Sequence, residues 1–402
     1  MQLKIRIPKL TAEHFFQIFL ALYWGKDIIF SYLKAVILRI PYVKYVADYI
    51  MPFLMLVCLL LAFSYFVQSI SWKDVVFTGV VVVVYFLNLL IYPENKDLSA
   101  IAVEFFVLVF PLYFVGLRLE PSKHFRLLYI MSIVNVWAFA AYYLVFGDSS
   151  FDTSSMINAS FMGRAYTLLP QVLIVLVVIL KKKNILNIVT GVIGFVLLLM
   201  CGNRGSVLLL FIFLAIYFLF NTKKEKRALV SIGAFSFVYI VACYYEILMA
   251  NIIIVFRRFG LSVRIFERLS DGSFFESHGR DSIIEKLTSA IWNNPIIGHG
   301  LCSDRTIAGS YAHNYAFELW TAFGVILGSV ILIATVFIII GAWMKSTDKN
   351  NRSFLLTLIC TGFLKLFISS SFLLEGLFFM LMGYCITQIR INKLGIVVLG
   401  ED

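Results

Sequence analysis

Charge is scarce in this chain. Only 14% of its 402 residues are Asp, Glu, Lys or Arg, while 61% are hydrophobic. A soluble globular protein carries about 25% charged and roughly 45–50% apolar residues. With a mean hydropathy of +0.92, the composition is that of a membrane protein with many spans. Other absences narrow the class. No P-loop is present, which removes the motif expected of ATP-driven transport. There is no internal repeat of the kind that marks many transporters, no low-complexity segment and no second soluble domain. The basic head "MQLKIRIPKL" is not followed by a clean apolar h-region and small-residue cleavage site, so no cleavable signal peptide is expected. The six cysteines show no metal or redox spacing. Most lie in apolar runs, where Cys acts as a small hydrophobe. Cys302 stands alone in a polar segment, so no structural disulfide is expected. The net charge of +11 does not indicate nucleic acid, because the basic residues are scattered among short connections. There they report orientation.

A helix needs about 20 apolar residues to cross the hydrocarbon core. Eleven segments qualify by pattern: 50–68, 75–92, 99–117, 127–147, 165–180, 185–201, 206–220, 228–248, 315–343, 353–369 and 372–389. The connections "KKKN" (181–184), "NTKKEKR" (221–227), "MKSTDKNNR" (344–352) and "RINK" (390–393) are rich in Lys and Arg, which places them in the cytoplasm. Residues 249–314 then form one large exoplasmic loop. Lys4, Arg6 and Lys9 argue for a cytoplasmic N-terminus, which needs a twelfth span within 12–40. Lys26 and Asp27 lie in its middle, so an amphipathic helix on the membrane surface competes with that reading. The expected architecture is all-α: about 12 transmembrane helices in one integral-membrane domain over residues 1–402, with both termini cytoplasmic.

Polar groups inside spans are costly and usually functional. On this topology Glu104, Glu246, Glu318, Lys365 and Glu375 all fall in the outer half or at the outer mouth of their helices, as a cavity open to the exoplasmic face would require. Interfacial snorkelling is the bland alternative for each one. The large loop prefers arginine: Arg257, Arg258, Arg264, Arg268, Arg280 and Arg305 stand against a single Lys286. Guanidinium is the better fork for phosphate oxygens, although the nearby acids would also satisfy ordinary salt bridges. Three arginines share a context. Arg164 in "MGRAYTLLP", Arg204 in "CGNRGSVLLL" and Arg280 in "SHGRDSIIEKLTSAIWNNP" each stand at a helix start beside glycine. A helix N-terminus favours anions. Arginine there is unfavourable unless an anion, such as Asp281 or a bound phosphate, sits between.

"GNRGS" opening a span, "GR" followed by a short helix and "NPIIGHGL", and then "HNYAFELWTAFGVILG" resemble the O-antigen ligase and O-antigen polymerase superfamily. These are bacterial integral-membrane glycosyltransferases of the C-type fold. His313-Asn314 with Gly324 downstream matches the superfamily's signature. Gly328 falls one residue later than in the usual ligase pattern. The resemblance covers roughly residues 160–345.

It implies a glycan donor on undecaprenyl pyrophosphate at the outer leaflet of the bacterial cytoplasmic (inner) membrane. By position, Arg204 and Arg280 correspond to pyrophosphate-binding arginines, with help expected from Arg164. His313 corresponds to the required histidine, with Glu318 as a secondary catalytic candidate. Asn314, Tyr311 and Tyr315 are candidates for holding the acceptor glycan, although such aromatics also suit a membrane belt. Gly324 and Gly328 also read as small-xxx-small helix packing. No metal or other cofactor is expected. "PENKDL" offers Glu94 and Asp97 without an Asp-x-Asp pair, and His278, His299 and His313 are too widely spaced for a zinc motif. The expected activity is polymerisation of lipid-linked O-antigen or capsule repeat units. Ligation to lipid A–core is the alternative within the class, and a lipid-linked oligosaccharide flippase is the alternative outside it. The expected partners are the lipid-linked donor and acceptor and membrane lipid. Whether a chain-length regulator also binds stays open.

Overall fold

The computed structural model describes residues 11–37, 44–146, 157–201, 203–221, 245–258, 280–346 and 348–393. The expected span 228–248 falls mostly outside them, as do both termini, Arg264, Arg268, His278 and the side chain of Glu246. Among the described residues the chain is all-helical. Six helices are long and apolar enough to cross a membrane: Trp72–Ile91, Lys96–Arg118, Pro121–Leu144, Gly163–Lys181, Arg204–Asn221 and Tyr315–Lys345. We number the helices in chain order: α1 Ala12–Ile37, α2 Lys44–Leu61, α3 Phe63–Val67, α4 Trp72–Ile91, α5 Lys96–Glu104, α6 Leu112–Arg118, α7 Pro121–Phe146, α8 Ile157–Lys181, α9 Ile185–Met200 and α10 Arg204–Asn221. Then follow α11 Tyr245–Arg258, α12 Arg280–Asn293, α13 Ser303–Ala308, α14 Tyr315–Lys345, α15 Lys349–Leu358 and α16 Gly376–Lys393.

The doubtful first segment is a helix of the bundle. Phe16, Phe19, Leu20 and Trp24 of α1 are buried, and α1 packs on α2 and α7. The Trp24 carbonyl accepts from Asn135 Nδ2 at 3.1 Å and Gln171 Nε2 at 2.7 Å. At the centre, α16 crosses α6 with their backbones in contact. A Cβ on Gly383 would overlap the Tyr113 carbonyl, and one on Gly116 the Met380 carbonyl. Glycine is what permits so close a crossing.

Two expected spans are broken. The segment expected at 353–369 begins as α15, passes through a π-helical turn (Ile359–Phe363) and a 3-10 turn (Leu364–Phe367), and ends in irregular chain before α16. The segment expected at 315–343 is bent at Gly324, where φ is 76° and ψ is 168°. Its two limbs fold back on one another. Trp320 Nε1 donates to Ser329 Oγ at 3.0 Å, and Tyr315 hydrogen-bonds with Thr335. In a straight helix those last two residues would stand about 30 Å apart. The membrane-length limb is therefore 325–345, and 315–323 is a short half-helix lying against it.

The bend frees backbone groups, and the loop after α12 satisfies them. Val325 N–H donates to the Pro295 carbonyl at 2.7 Å, while His299 N–H and Gly300 N–H donate to the Thr321 and Ala322 carbonyls at 2.8 and 3.0 Å. Irregular backbone at membrane depth is tolerated only when bonded in this way. The docking also explains the first glycine of "NPIIGHGL" and the one at the bend. A Cβ on Gly298 would meet Gly324 and Ala322 backbone, and one on Gly324 would meet the Ile296 and Pro295 carbonyls.

Cross-contacts sort the connections into two ends of the molecule. At one end Arg118 bonds Gln68, Lys181 bonds Asn350, and Arg390 grips buried Asp74 with both guanidinium nitrogens at 2.8 Å. At the other, Asn95 bonds the His299 carbonyl and Thr306, and Arg280 bonds the Ile368 carbonyl.

Candidate functional site

The second end holds the predicted residues. Asn203 caps α10, its side-chain oxygen accepting from Ser206 N–H at 3.1 Å, and this fixes the half-buried Arg204 at the first helical position. Arg280 opens α12 and donates from Nη1 to the Ile368 carbonyl at 2.9 Å. The two guanidinium groups lie close enough to repel one another. Tyr166 of α8 joins them. Its phenol feels the charge of both arginines and hydrogen-bonds with Ser369 and Asn203. A Cβ on Gly205 would overlap the Tyr166 hydroxyl, so the glycine of "GNRGS" is needed for this approach.

His313 stands beside Arg280. Its ring packs on that of Tyr311, with centroids 3.9 Å apart. Its backbone is left-handed, φ 53°, a conformation that non-glycine residues adopt only where neighbours hold it. Those neighbours are fixed. Ala312 N–H donates to Asp304 Oδ2 at 2.8 Å, and Asn314 caps the half-helix through Ala316 N–H at 3.0 Å. Burial first, and then the charge of Arg280, push the imidazole pKa down to about 4. It is therefore neutral at physiological pH, and its Nδ1 is buried without a hydrogen-bond partner among the described residues. Burial likewise raises the Asp304 carboxyl above its usual range.

No family model matches this chain, nor does any curated protein or solved structure. The site therefore stands on its own geometry. Two arginines drawn from distant segments offer fixed positive charge to an anion. A neutral histidine beside them offers a nitrogen able to take a proton. Such a constellation can stabilise a phosphate leaving group while deprotonating a nucleophile.

The other expected residues are placed differently. Glu318 is buried. Its carboxylate accepts from the Ser371 hydroxyl and from Phe372 N–H at 3.1 Å. It thus anchors the 368–372 turn that presents the Ile368 carbonyl to Arg280. Tyr315 is enclosed by Phe363, Phe367, Phe372 and Phe378, so it packs the core and presents nothing to a glycan. The Asn314 side-chain oxygen is committed to its cap. Arg164, expected at a helix start, lies instead within α8, whose first turn is at Ile157. It stands over the Tyr142 ring at 5.0 Å, two residues from Tyr166 and so on the opposite face of the helix. His299 Nε2 is bonded to the Ala290 carbonyl at 2.9 Å. Tyr166 and Asp304 were not singled out from the sequence. A tyrosine in an apolar helix is ordinary, and the partner of Asp304 is a backbone amide that only the fold brings near.

Proposed function

We propose that this chain polymerises undecaprenyl-pyrophosphate-linked oligosaccharide repeat units of O-antigen or capsule at the exoplasmic face of a bacterial cytoplasmic membrane. The observation that carries the reading is the convergence of Arg204 and Arg280 at Tyr166, with His313 beside Arg280; these three residues match the superfamily's motifs. The topology that goes with it has twelve spans of the C-type fold and cytoplasmic termini. Lys181, Lys182, Lys183, Lys345, Lys349, Arg352 and Arg390 cluster at the end away from the site, as the excess of Lys and Arg on cytoplasmic connections requires.

In the proposed reaction an acceptor hydroxyl attacks the anomeric carbon of the donor sugar. The new C–O bond forms as the bond from that carbon to the pyrophosphate oxygen breaks. His313 takes the hydroxyl proton, a contribution typically worth about 10²–10⁴-fold. Arg204 and Arg280 stabilise the charge gathering on the departing pyrophosphate.

Deleting the gene and running surface polysaccharide on a gel tests the class. Where a lipid A acceptor exists, loss of a polymerase leaves a single capped repeat, whereas loss of a ligase leaves none. An unchanged ladder overturns both enzyme readings. With purified protein and lipid-linked donor, Arg204→Ala, Arg280→Ala and His313→Ala are each expected to lower turnover by about 100-fold or more. Full activity in these variants would remove the site.

A further inference from the structure

A buried ion pair adjoins the arginines and has no part in the reaction above. Lys365 bonds Glu375, with side chains only 13% and 7% exposed. Lys365 Nζ also stands 5.2 Å from the centre of the Tyr166 ring. Three cations from three segments therefore meet at one phenol: Arg204, Arg280 and Lys365. Glu375 is further held by Ser370 Oγ at 3.1 Å, and Ser370 takes a left-handed φ of 89°. Removing two charges from water costs several kcal/mol per ion in general. A latch across the 364–375 turn would not need charge, since neutral hydrogen bonds could serve. The placement beside Tyr166 gives the charge a use.

We propose that Lys365 is a third cationic contact for the anion bound at Arg204 and Arg280, and that Glu375 tunes the site's charge toward a pyrophosphate diester over a pyrophosphate monoester. The inference rests on the glycosyl-transfer reading. Glu375 is the carboxylate bonded to Lys365, so it lowers the positive charge that Lys365 presents to an anion. A sugar-linked donor carries one ionised oxygen on each phosphorus. Transfer of the sugar leaves a monoester with a further ionisable oxygen on its terminal phosphate. Glu375 repels this added charge and so favours release of the product lipid.

The test measures binding by full-length protein in nanodiscs at about pH 8. The probes are farnesyl pyrophosphate, a monoester, and a farnesyl glycosyl pyrophosphate, a diester. The ratio of monoester to diester affinity should follow the local charge. Glu375→Gln adds one positive charge and should raise the ratio about tenfold. Lys365→Gln should lower it and weaken both probes. The double variant Lys365→Gln/Glu375→Gln leaves no unpaired buried charge, so it guards against simple misfolding. It should bind both probes more weakly than wild type while restoring the wild-type ratio. If Glu375→Gln and the double variant both leave affinities and ratio at wild-type values, the tuning role is overturned, even where Arg280→Gln abolishes binding. If wild type binds neither probe, or Arg280→Gln binds as well as wild type, the glycosyl-transfer reading falls and this inference with it.

Discussion

His313 is the residue whose chemistry is most exposed to test. An unperturbed histidine loses its proton near pH 6.5, yet burial and Arg280 hold this one down to about 4. The sign follows directly. The neutral, proton-accepting form persists as pH falls through 6.5 and is lost only near 4. The acid limb of kcat/KM, which reports the free enzyme, is therefore expected near pH 4. A bound pyrophosphate offsets Arg280, so the acid limb of kcat should sit higher. Arg280→Gln should raise the imidazole pKa read by NMR of labelled histidine, but not fully to 6.5, because burial is the larger cause. An acid limb of kcat/KM at the ordinary histidine value would contradict this placement. Arg204 and Arg280 were legible in the sequence because cations at helix starts, beside glycine and within an apolar chain, are anomalies that call for an anion; the same pattern misplaced Arg164, which lies inside α8. Glu318 was legible as a polar group and a secondary catalytic candidate. Its bonds to Ser371 and Phe372 join two distant segments, which sequence spacing does not reveal.

At the scale of elements, hydrophobic runs placed α4, α9, α10 and α16 to within about four residues, since length and apolarity decide those. Helices α2, α7 and α8 begin earlier, at Lys44, Pro121 and Ile157, through polar first turns that hydropathy does not mark. The bent ones were hidden. Gly324 sits in an uninterrupted apolar run, and with Gly328 it read as a surface for packing on another helix. The partner is instead the helix's own first limb. A Cβ on Gly328 would stand 2.8 Å from the Leu319 carbonyl. The bend needs both a left-handed residue and room for the Ile296 and Pro295 carbonyls. Gly324→Ala therefore meets two penalties and should destabilise the fold by about 2–4 kcal/mol. Gly309→Ala is the control. Its φ is also 76°, but nothing lies within 4 Å of the added carbon, so only the backbone strain of about 1–2 kcal/mol applies. Thermal unfolding of the purified protein should rank them in that order. Equal midpoints would mean that the docked loop does not depend on this close approach.

For the molecule as a whole, the claim at stake is which end faces the cytoplasm. Polar cross-contacts group Gln68, Asp74, Arg118, Lys181, Asn350 and Arg390 at one end. They group Asn95, His299, Arg280 and Ile368 at the other. Two crossings separate Gln68 from Arg118, and two separate Arg280 from Ile368, as residues that meet at one end require. Over 280–368 the Lys-rich connection 344–352 falls at the opposite end from Arg280, in agreement with the alternation read from charge. The end bearing Asp74 and Arg390 is also clamped. Asp74 takes both guanidinium nitrogens of Arg390, the Tyr113 hydroxyl at 2.6 Å, and the Ser71 hydroxyl at 2.7 Å and backbone N–H at 2.8 Å. Among the described residues, no clamp of equal density surrounds Tyr311 and His313 at the other end. Orientation can be read with single cysteines in a background where the native ones are replaced. Lys182→Cys is expected to resist a membrane-impermeant maleimide in intact spheroplasts and to react after lysis. Ser289→Cys, on the exposed side of α12, should react in intact spheroplasts. The reverse labelling pattern would turn the molecule over, place His313 on the cytoplasmic side, and exclude a donor presented at the outer leaflet.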